Sequence, residues 1–489
     1  MSKKPTVLII IDGYGKREEE EGNAILAAKT PNLDRLMDTY PGTSIKTGFV
    51  SCEEGYQLMG TGLNVPSQKL MIDKATQDGS LFRNPLLIDL IKYVKENRAS
   101  LHLVGMLSDA GIHSHINHLF SLLELAQHHF LDKVYMHLIL DGRDVETNSA
   151  RKYLRQLDKY LERNNTGTVA TIIGRHYAMD KSKGAKQFKK AYDMLTKGKG
   201  TLIRDPMEAV HSAYRKKLSD EFVEPTIINQ SGLPKNKDAV IFFNFRSDRA
   251  NNFLQAFTDP KFKKFPTRKM NLRFISLLGY EDDPIPCAIN IPKTKTCLSK
   301  HLAGKKMKQF KVCEETKGLA ATFFFNGNNS KPFDKEVWKI VGSANVPTYD
   351  KKPAMSASLI AKHAVEQIRK NKFDLVVSSF ANMDSVGHTG KLNETLKAVE
   401  AVDKAVGNIV KVVERKKGVC LITGDHGKAE EMLDRFGRPV TSHSTNPVPV
   451  IVTRKGIKLH RGKLHDIAPT VLKLMRLKPP KEMKGKSLY

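Results

Sequence analysis

Short apolar runs that stop at an acid recur along the chain, and they predict buried strands. Val7–Ile11 stops at Asp12 and Gly13. Phe373–Phe380 runs into Ala381–Gly390, where Asp384 and His388 lie four residues apart. Val419–Ile422 reaches Gly424 and delivers Asp425 and His426 side by side. His443 stands shortly before a further apolar run, Val448–Val452. Helical spacing predicts Ala24–Tyr40, with Pro31 opening its later part, then Ser356–Lys370, Asn393–Arg415 and His465–Met475. In the third of these, Leu396, Val399, Val402, Val406, Ile409, Val410 and Val413 form one apolar face that must pack on a sheet. Ala320–Asn326 reads as a strand, and the Gly-rich, polar stretch Phe49–Lys69 as a loop.

The middle of the chain repeats the alternation with different chemistry. Leu101–Met106, Val134–Leu140, Val169–Ile173 and Val240–Phe245 read as strands, and a periodic helix ends near His128. The ends of these strands carry mostly arginine: Arg143, Arg175, Arg246 and Arg249, with His113 at a further strand end. Guanidinium forks suit carboxylate and phosphate, so a pocket for a small polyanion is expected there. Asp282–Lys295 reads as a return linker. Asp12 belongs chemically with ligands found only after residue 380. The expected fold is therefore α/β with two domains: a metal-binding domain of residues 1–70 and 299–489, interrupted by a substrate-clamp domain of 71–298.

Carboxylates beside imidazoles, at the strand ends where α/β sheets collect ligands, are natural partners for Mn²⁺ or Zn²⁺. Lys and Arg exceed Asp and Glu by 80 to 52, a net charge of +28 that attracts anions. The lysines are spread along the chain with no basic tail or zinc knuckle, which favours a solvated surface over nucleic-acid binding. Five scattered cysteines with no CxxC pair imply reduced thiols and a cytoplasmic setting. No apolar run approaches the ~20 residues of a membrane helix.

Together the motifs IIIDGYG, AKTPNLDRL, GIHSHINHL, LDGRDVETNSA, GRHYAMD, SDEFVEPT, FFNFRSDRA, TFFFNG, FANMDSVGHTG, LITGDHGKAEEM and HDIAPTVL span nearly the full length. In this order they make the chain resemble the cofactor-independent phosphoglycerate mutases of the alkaline phosphatase superfamily. The resemblance implies an isomerase of glycolysis and gluconeogenesis that interconverts 3-phosphoglycerate and 2-phosphoglycerate without 2,3-bisphosphoglycerate. It implies two Mn²⁺, with Zn²⁺ or Co²⁺ as substitutes. Asp384, His388 and His443 would hold one ion, and Asp12, Asp425 and His426 the other. Substrate contacts carry over to His113, Arg143, Asp144, Arg175, Lys181, Arg246, Arg249 and Lys317. Asp144 is then a general acid/base, and Lys317 a stabiliser of a phosphate oxygen. The implied partner is a small phosphoglycerate, with no membrane, and the implied state is a monomer.

Two departures stand out. The family's Met-Gly-Asn-Ser-Glu-Val-Gly-His segment carries the serine that takes the phosphoryl group. Aligned on Met59-Gly60, this chain has Gly62 in the place of that serine, succeeded by a shortened loop. Thr61 is then the expected catalytic nucleophile, and Ser67 lies beyond Pro66 as another candidate. The second departure is Lys181, where the family has an arginine. The alternatives to a mutase are a catalytically impaired paralogue that acts as a binding protein, and a dimetal phosphohydrolase.

Overall fold

A computed structural model gives the fold of residues 4–48, 51–179, 185–245, 254–268, 270–280 and 285–489. The chain divides into two compact α/β units. One runs to Val65 and resumes from Lys293 to Tyr489; the other is Pro66–Pro292. The crossings thus fall at 65/66 and 292/293, a few residues before the expected 70 and 298. Ser67 accounts for the first of these, because its hydroxyl caps helix Gln68–Gln77 of the inserted unit. Among the described residues no helix is long and apolar enough to cross a membrane.

In the discontinuous unit the sheet order is Glu336–Val341, Gln309–Glu314, Leu375–Phe380, Thr6–Ile11, Val419–Gly424, Val448–Val452, Gly42–Lys46 and Gly462–Lys463. The first five strands run parallel. The central three are buried along their whole length, as strands covered on both faces must be. Helices Ala357–Arg369 and Leu392–Arg415 supply one cover, with Val399, Val402, Val406, Ile409, Val410 and Val413 in the same apolar cluster as Val7, Ile9 and Ile11. Register decides the rest. Ile11 pairs with both Phe380 and Gly424, so the residues just past all three strands leave the sheet at one level.

Four local expectations are corrected. Phe49–Lys69 is not all loop: Cys52–Thr61 is a helix, opened by a capping box between Ser51 and Glu54. That pattern, Ser-x-x-Glu, was present in the sequence. Ala320–Phe324 is a wide, π-type helical turn rather than a strand, and Gly60 packs on it so closely that a Cβ would meet the Phe325 carbonyl. Ala24–Tyr40 is two helices, Ala24–Ala27 and Pro31–Thr39; Pro31 lacks the N–H needed to continue the first and opens the second. The return linker contains an edge strand, Cys287–Ile291.

The inserted unit has sheet order Cys287–Ile291, Arg273–Tyr280, Ala239–Phe242, Leu101–Leu107, Val134–Leu140, Thr168–Gly174, Thr226–Ile227 and Thr201–Leu202. All its pairings are parallel except that between Thr168–Gly174 and Thr226–Ile227.

Glu314 ends an inner strand of the first unit and is fully buried, and burial pushes its carboxyl from 4.5 up to about 7. A raised carboxyl favours the fold below its ordinary pKa, and that advantage is lost as pH rises through 7. Glu314→Gln is therefore expected to raise the unfolding free energy at pH 8 by up to roughly 3 kcal/mol and to change it little near pH 4.5. Urea titrations at the two pH values check this; equal effects at both would refute it.

Candidate metal centre

The level sheet edge brings the acids together. Asp12 donates its amide to Phe380 O and accepts the amide of Asp384 at its own carbonyl, which ties the first strand end to the second. Gly13 makes this possible: its φ is +78°, and a Cβ there would stand 3.0 Å from the Asp384 nitrogen. The Gly13 and His426 amides donate to Asp425 Oδ1 at 3.1 and 2.9 Å, orienting the third acid. Asp12, Asp384, Asp425 and His426 are all buried.

The imidazoles converge on the same point. His388 Nε2, His443 Nε2 and His426 Nε2 lie 3.1, 3.3 and 3.8 Å from Asp384 Oδ1. The rings of His426 and His443 stack with centroids 3.7 Å apart. His388 Nδ1 faces Thr441 O at 2.6 Å, and His426 Nδ1 faces Gly427 O at 3.3 Å. With Nδ1–H given to a carbonyl, each ring turns an Nε2 lone pair inward, the arrangement that metal-binding histidines use.

Two residues absent from the expected ligand sets join them. Tyr56 donates its hydroxyl to Asp12 Oδ1 and lies 2.5 Å from Ser379 Oγ. Cys52 Sγ lies 2.9 Å from His426 Nε2 and 3.8 Å from Asp384 Oδ2. Lys317 Nζ donates to Cys52 Sγ and Asp384 Oδ2, both at 2.6 Å, and stands 3.0 Å from Asp12 Oδ2.

Three buried carboxylates face one ammonium. Burial pushes Asp12 up to about 6 despite Lys317, and burial together with Asp12 pushes Asp425 well above the carboxylate range. Burial works against Asp384 too, but Lys317 and His388 outweigh it and hold that carboxyl low. Asp384 Oδ1 and Asp425 Oδ2 accept no hydrogen bond, and Asp12 Oδ2 meets the Lys317 ammonium. One ligand atom from each of Cys52, Asp384, His426 and His443 fits within 4.8 Å, as does one from each of Asp12, Cys52 and Asp425. Orphaned carboxylate oxygens, inward imidazoles and surplus negative charge are the donor set of a divalent-metal site.

The inserted unit gathers its own polar cluster at the strand ends. Arg175 donates to Asp141, to Asp144 Oδ2 at 2.6 Å and towards His113 Nε2 at 2.9 Å. Asp141, not singled out in the sequence, also accepts from Ser108 Oγ at 2.7 Å. Arg143 pairs with Glu221. Lys181, Arg246 and Arg249 lie outside the described residues.

Over 506 residues the chain is 39% identical to the 2,3-bisphosphoglycerate-independent phosphoglycerate mutase of Moorella thermoacetica, covering 99% of this chain and 98% of that one. The chain belongs to the 2,3-bisphosphoglycerate-independent phosphoglycerate mutases. It is 40% identical over 507 residues to the mutase so named from Listeria innocua, covering 100% of this chain and 99% of that one. The family model for the BPG-independent PGAM N-terminus matches residues 72–282, and that for type I phosphodiesterase/nucleotide pyrophosphatase matches 305–449. A crystal structure of Leishmania mexicana phosphoglycerate mutase at low cobalt concentration matches with a TM-score of 0.93 at 26% identity, over 100% of this chain and 98% of that one.

Gly62, which alignment on Met59-Gly60 sets against the serine, is the left-handed C-cap of helix Cys52–Thr61. Thr61 is in its last turn, donates to Gln57 O at 2.7 Å and accepts from Leu63 N. Its hydroxyl serves the helix end. Ser67 lies in the inserted unit as a helix cap. The side chain that reaches the metal centre is at the other end of the helix, at Cys52. Aligned from that end, Ser51-Cys52-Glu53-Glu54-Gly55-Tyr56 shares Glu and Gly with the mutase pattern Asn-Ser-Glu-Val-Gly-His. That match, and the capping box within it, were the signals that could have found Cys52.

Proposed function

We propose that the chain is a Mn²⁺-dependent phosphoglycerate mutase that interconverts 3-phosphoglycerate and 2-phosphoglycerate without 2,3-bisphosphoglycerate. The observation that carries this is the convergence of three buried carboxylates and three imidazoles, with carboxylate oxygens that accept no hydrogen bond. Asp384, His388 and His443 would hold one ion and Asp12, Asp425 and His426 the other; Zn²⁺ or Co²⁺ are chemically compatible substitutes. Such ions neutralise phosphoryl oxygens and activate a nucleophile.

The protein's own groups do the rest. Lys317 adds a fixed positive charge against the acids and can meet a phosphoryl oxygen. Arg175 has a second guanidinium nitrogen beside His113, a pairing suited to the glycerate carboxylate. Asp144 lies 3.5 Å from His113 and is placed to hold or pass a proton. Arg143, Lys181, Arg246 and Arg249 are proposed as further substrate contacts. The free thiols fit a cytoplasmic enzyme, and a monomer is the simplest state.

A coupled assay tests this. Purified protein with Mn²⁺ and 3-phosphoglycerate is expected to yield 2-phosphoglycerate, to stop on chelation by EDTA and to resume when Mn²⁺ is restored. Release of inorganic phosphate in place of 2-phosphoglycerate would make the protein a hydrolase, and neither product would leave a binding protein.

A further inference from the structure

We propose that Cys52 is the phosphoryl acceptor, so that this chain works through an S-phosphocysteine where its relatives use a serine. The inference rests on the mutase reading and adds the identity of the group that carries the phosphoryl between the two hydroxyls.

Position is the first argument. Cys52 is the one residue common to both ligand groupings, that with Asp384, His426 and His443 and that with Asp12 and Asp425. A sulfur that lies beside ligands proposed for both ions would meet a phosphorus whose oxygens those ions could neutralise. Asp425 Oδ2, which accepts no hydrogen bond, is an independent sign that a cation belongs beside that sulfur.

The neighbours of the thiol are the second. Cys313 and Cys420 sit inside apolar clusters, where a cysteine behaves as a small hydrophobe. Cys52 is equally buried but faces an ammonium, an imidazole and a carboxylate. The sulfur thus has polar and charged neighbours rather than an apolar pocket, although burial and Asp384 hold its thiol well above the ordinary value. The competing hydroxyls are committed elsewhere: Thr61 to its helix, Ser67 to capping, and Ser379 to Tyr56.

The chemistry balances. The Cys52 thiolate attacks phosphorus, an S–P bond forms, and the bond from phosphorus to the C3 oxygen breaks. The leaving oxygen takes up one proton. In the return step the C2 hydroxyl oxygen attacks phosphorus and gives up one proton, and the S–P bond breaks to restore the thiolate. Nothing is oxidised or reduced.

Two measurements test the proposal. In the first, enzyme mixed with Mn²⁺ and 3-phosphoglycerate is denatured in alkali and mapped by mass spectrometry. One phosphoryl group is expected on the peptide containing Cys52, lost on mild acid treatment as an S–P bond is and a phosphoserine or phosphothreonine is not. Cys52→Ser should carry an acid-stable phosphoryl group at the same position, and Cys52→Ala should carry none and lose about 10³-fold or more in turnover. A phosphoryl group on any other residue, or undiminished turnover in Cys52→Ala, overturns it.

The second reads the sulfur without turnover. Co²⁺ added to metal-free enzyme should give a near-ultraviolet sulfur-to-cobalt charge-transfer band that Cys52→Ser lacks. Absence of the band from the native chain, or its persistence in Cys52→Ser, also overturns the assignment. If the native chain makes no 2-phosphoglycerate, the mutase reading fails by itself, and the cobalt band still reports on Cys52.

Discussion

Asp384→Asn is expected to lower 2-phosphoglycerate formation by about 10³-fold, the kinetic equivalent of several kcal/mol of transition-state charge stabilisation. The substitution keeps shape and removes charge at the most connected acid of the site. Its Oδ1 faces three imidazole nitrogens and its Oδ2 accepts from Lys317. Asparagine offers one carbonyl oxygen and no negative charge, so the ion proposed at His388 and His443 would lose its anionic ligand. Coupled turnover and metal content measured on the same preparation decide the matter. Metal stoichiometry should fall with activity while the secondary structure stays intact. Near-native turnover with a full complement of metal would remove Asp384 from the site.

Lys317→Met should destabilise the metal-free protein by about 3–5 kcal/mol, because it leaves buried charges without their partner. The ammonium lies against Asp12 and Asp384, and those carboxylates together raise its own pKa well above the usual lysine range even though burial opposes this. Methionine keeps much of the length and none of the charge. The loss should shrink sharply in excess Mn²⁺, since divalent ions at the same carboxylates supply the missing positive charge. Urea unfolding in EDTA and in Mn²⁺ gives the comparison. Equal destabilisation in both would show that Lys317 is needed for packing rather than for charge.

How legible the fold was depended on the kind of element. Strands buried on both faces are apolar throughout, so Val7–Ile11 and Val448–Val452 were visible from hydropathy and kept their bounds closely. Leu392–Arg415 was visible because its apolar stripe repeats over many turns. Helix Cys52–Thr61 was hard to see because it is buried on nearly every side, with Glu53, Gln57 and Thr61 buried too and two glycines that meet neighbouring backbone, so the stripe of Cys52, Tyr56 and Met59 does not stand out. Ala320–Phe324 was misread because its aromatic residues suit a strand as well as a turn of helix. Without a helix start at Ser51, Met59-Gly60 looked like the segment to align.

What the sequence alone determined was the inventory of chemistry and its order: acids and imidazoles at strand ends, arginines in the middle, and an interruption between Asp12 and the remaining ligands. Those features come from residue type and from the period of burial, which are local. Which side chain completes the centre was decided only by tertiary structure. Cys52 precedes Asp384 by hundreds of residues, and no local pattern sets the distance between them. That distance depends on the shared level of three strand ends, on the close approach of Gly60 to Phe325, and on a helix cap that turns one sulfur towards Lys317 and His426.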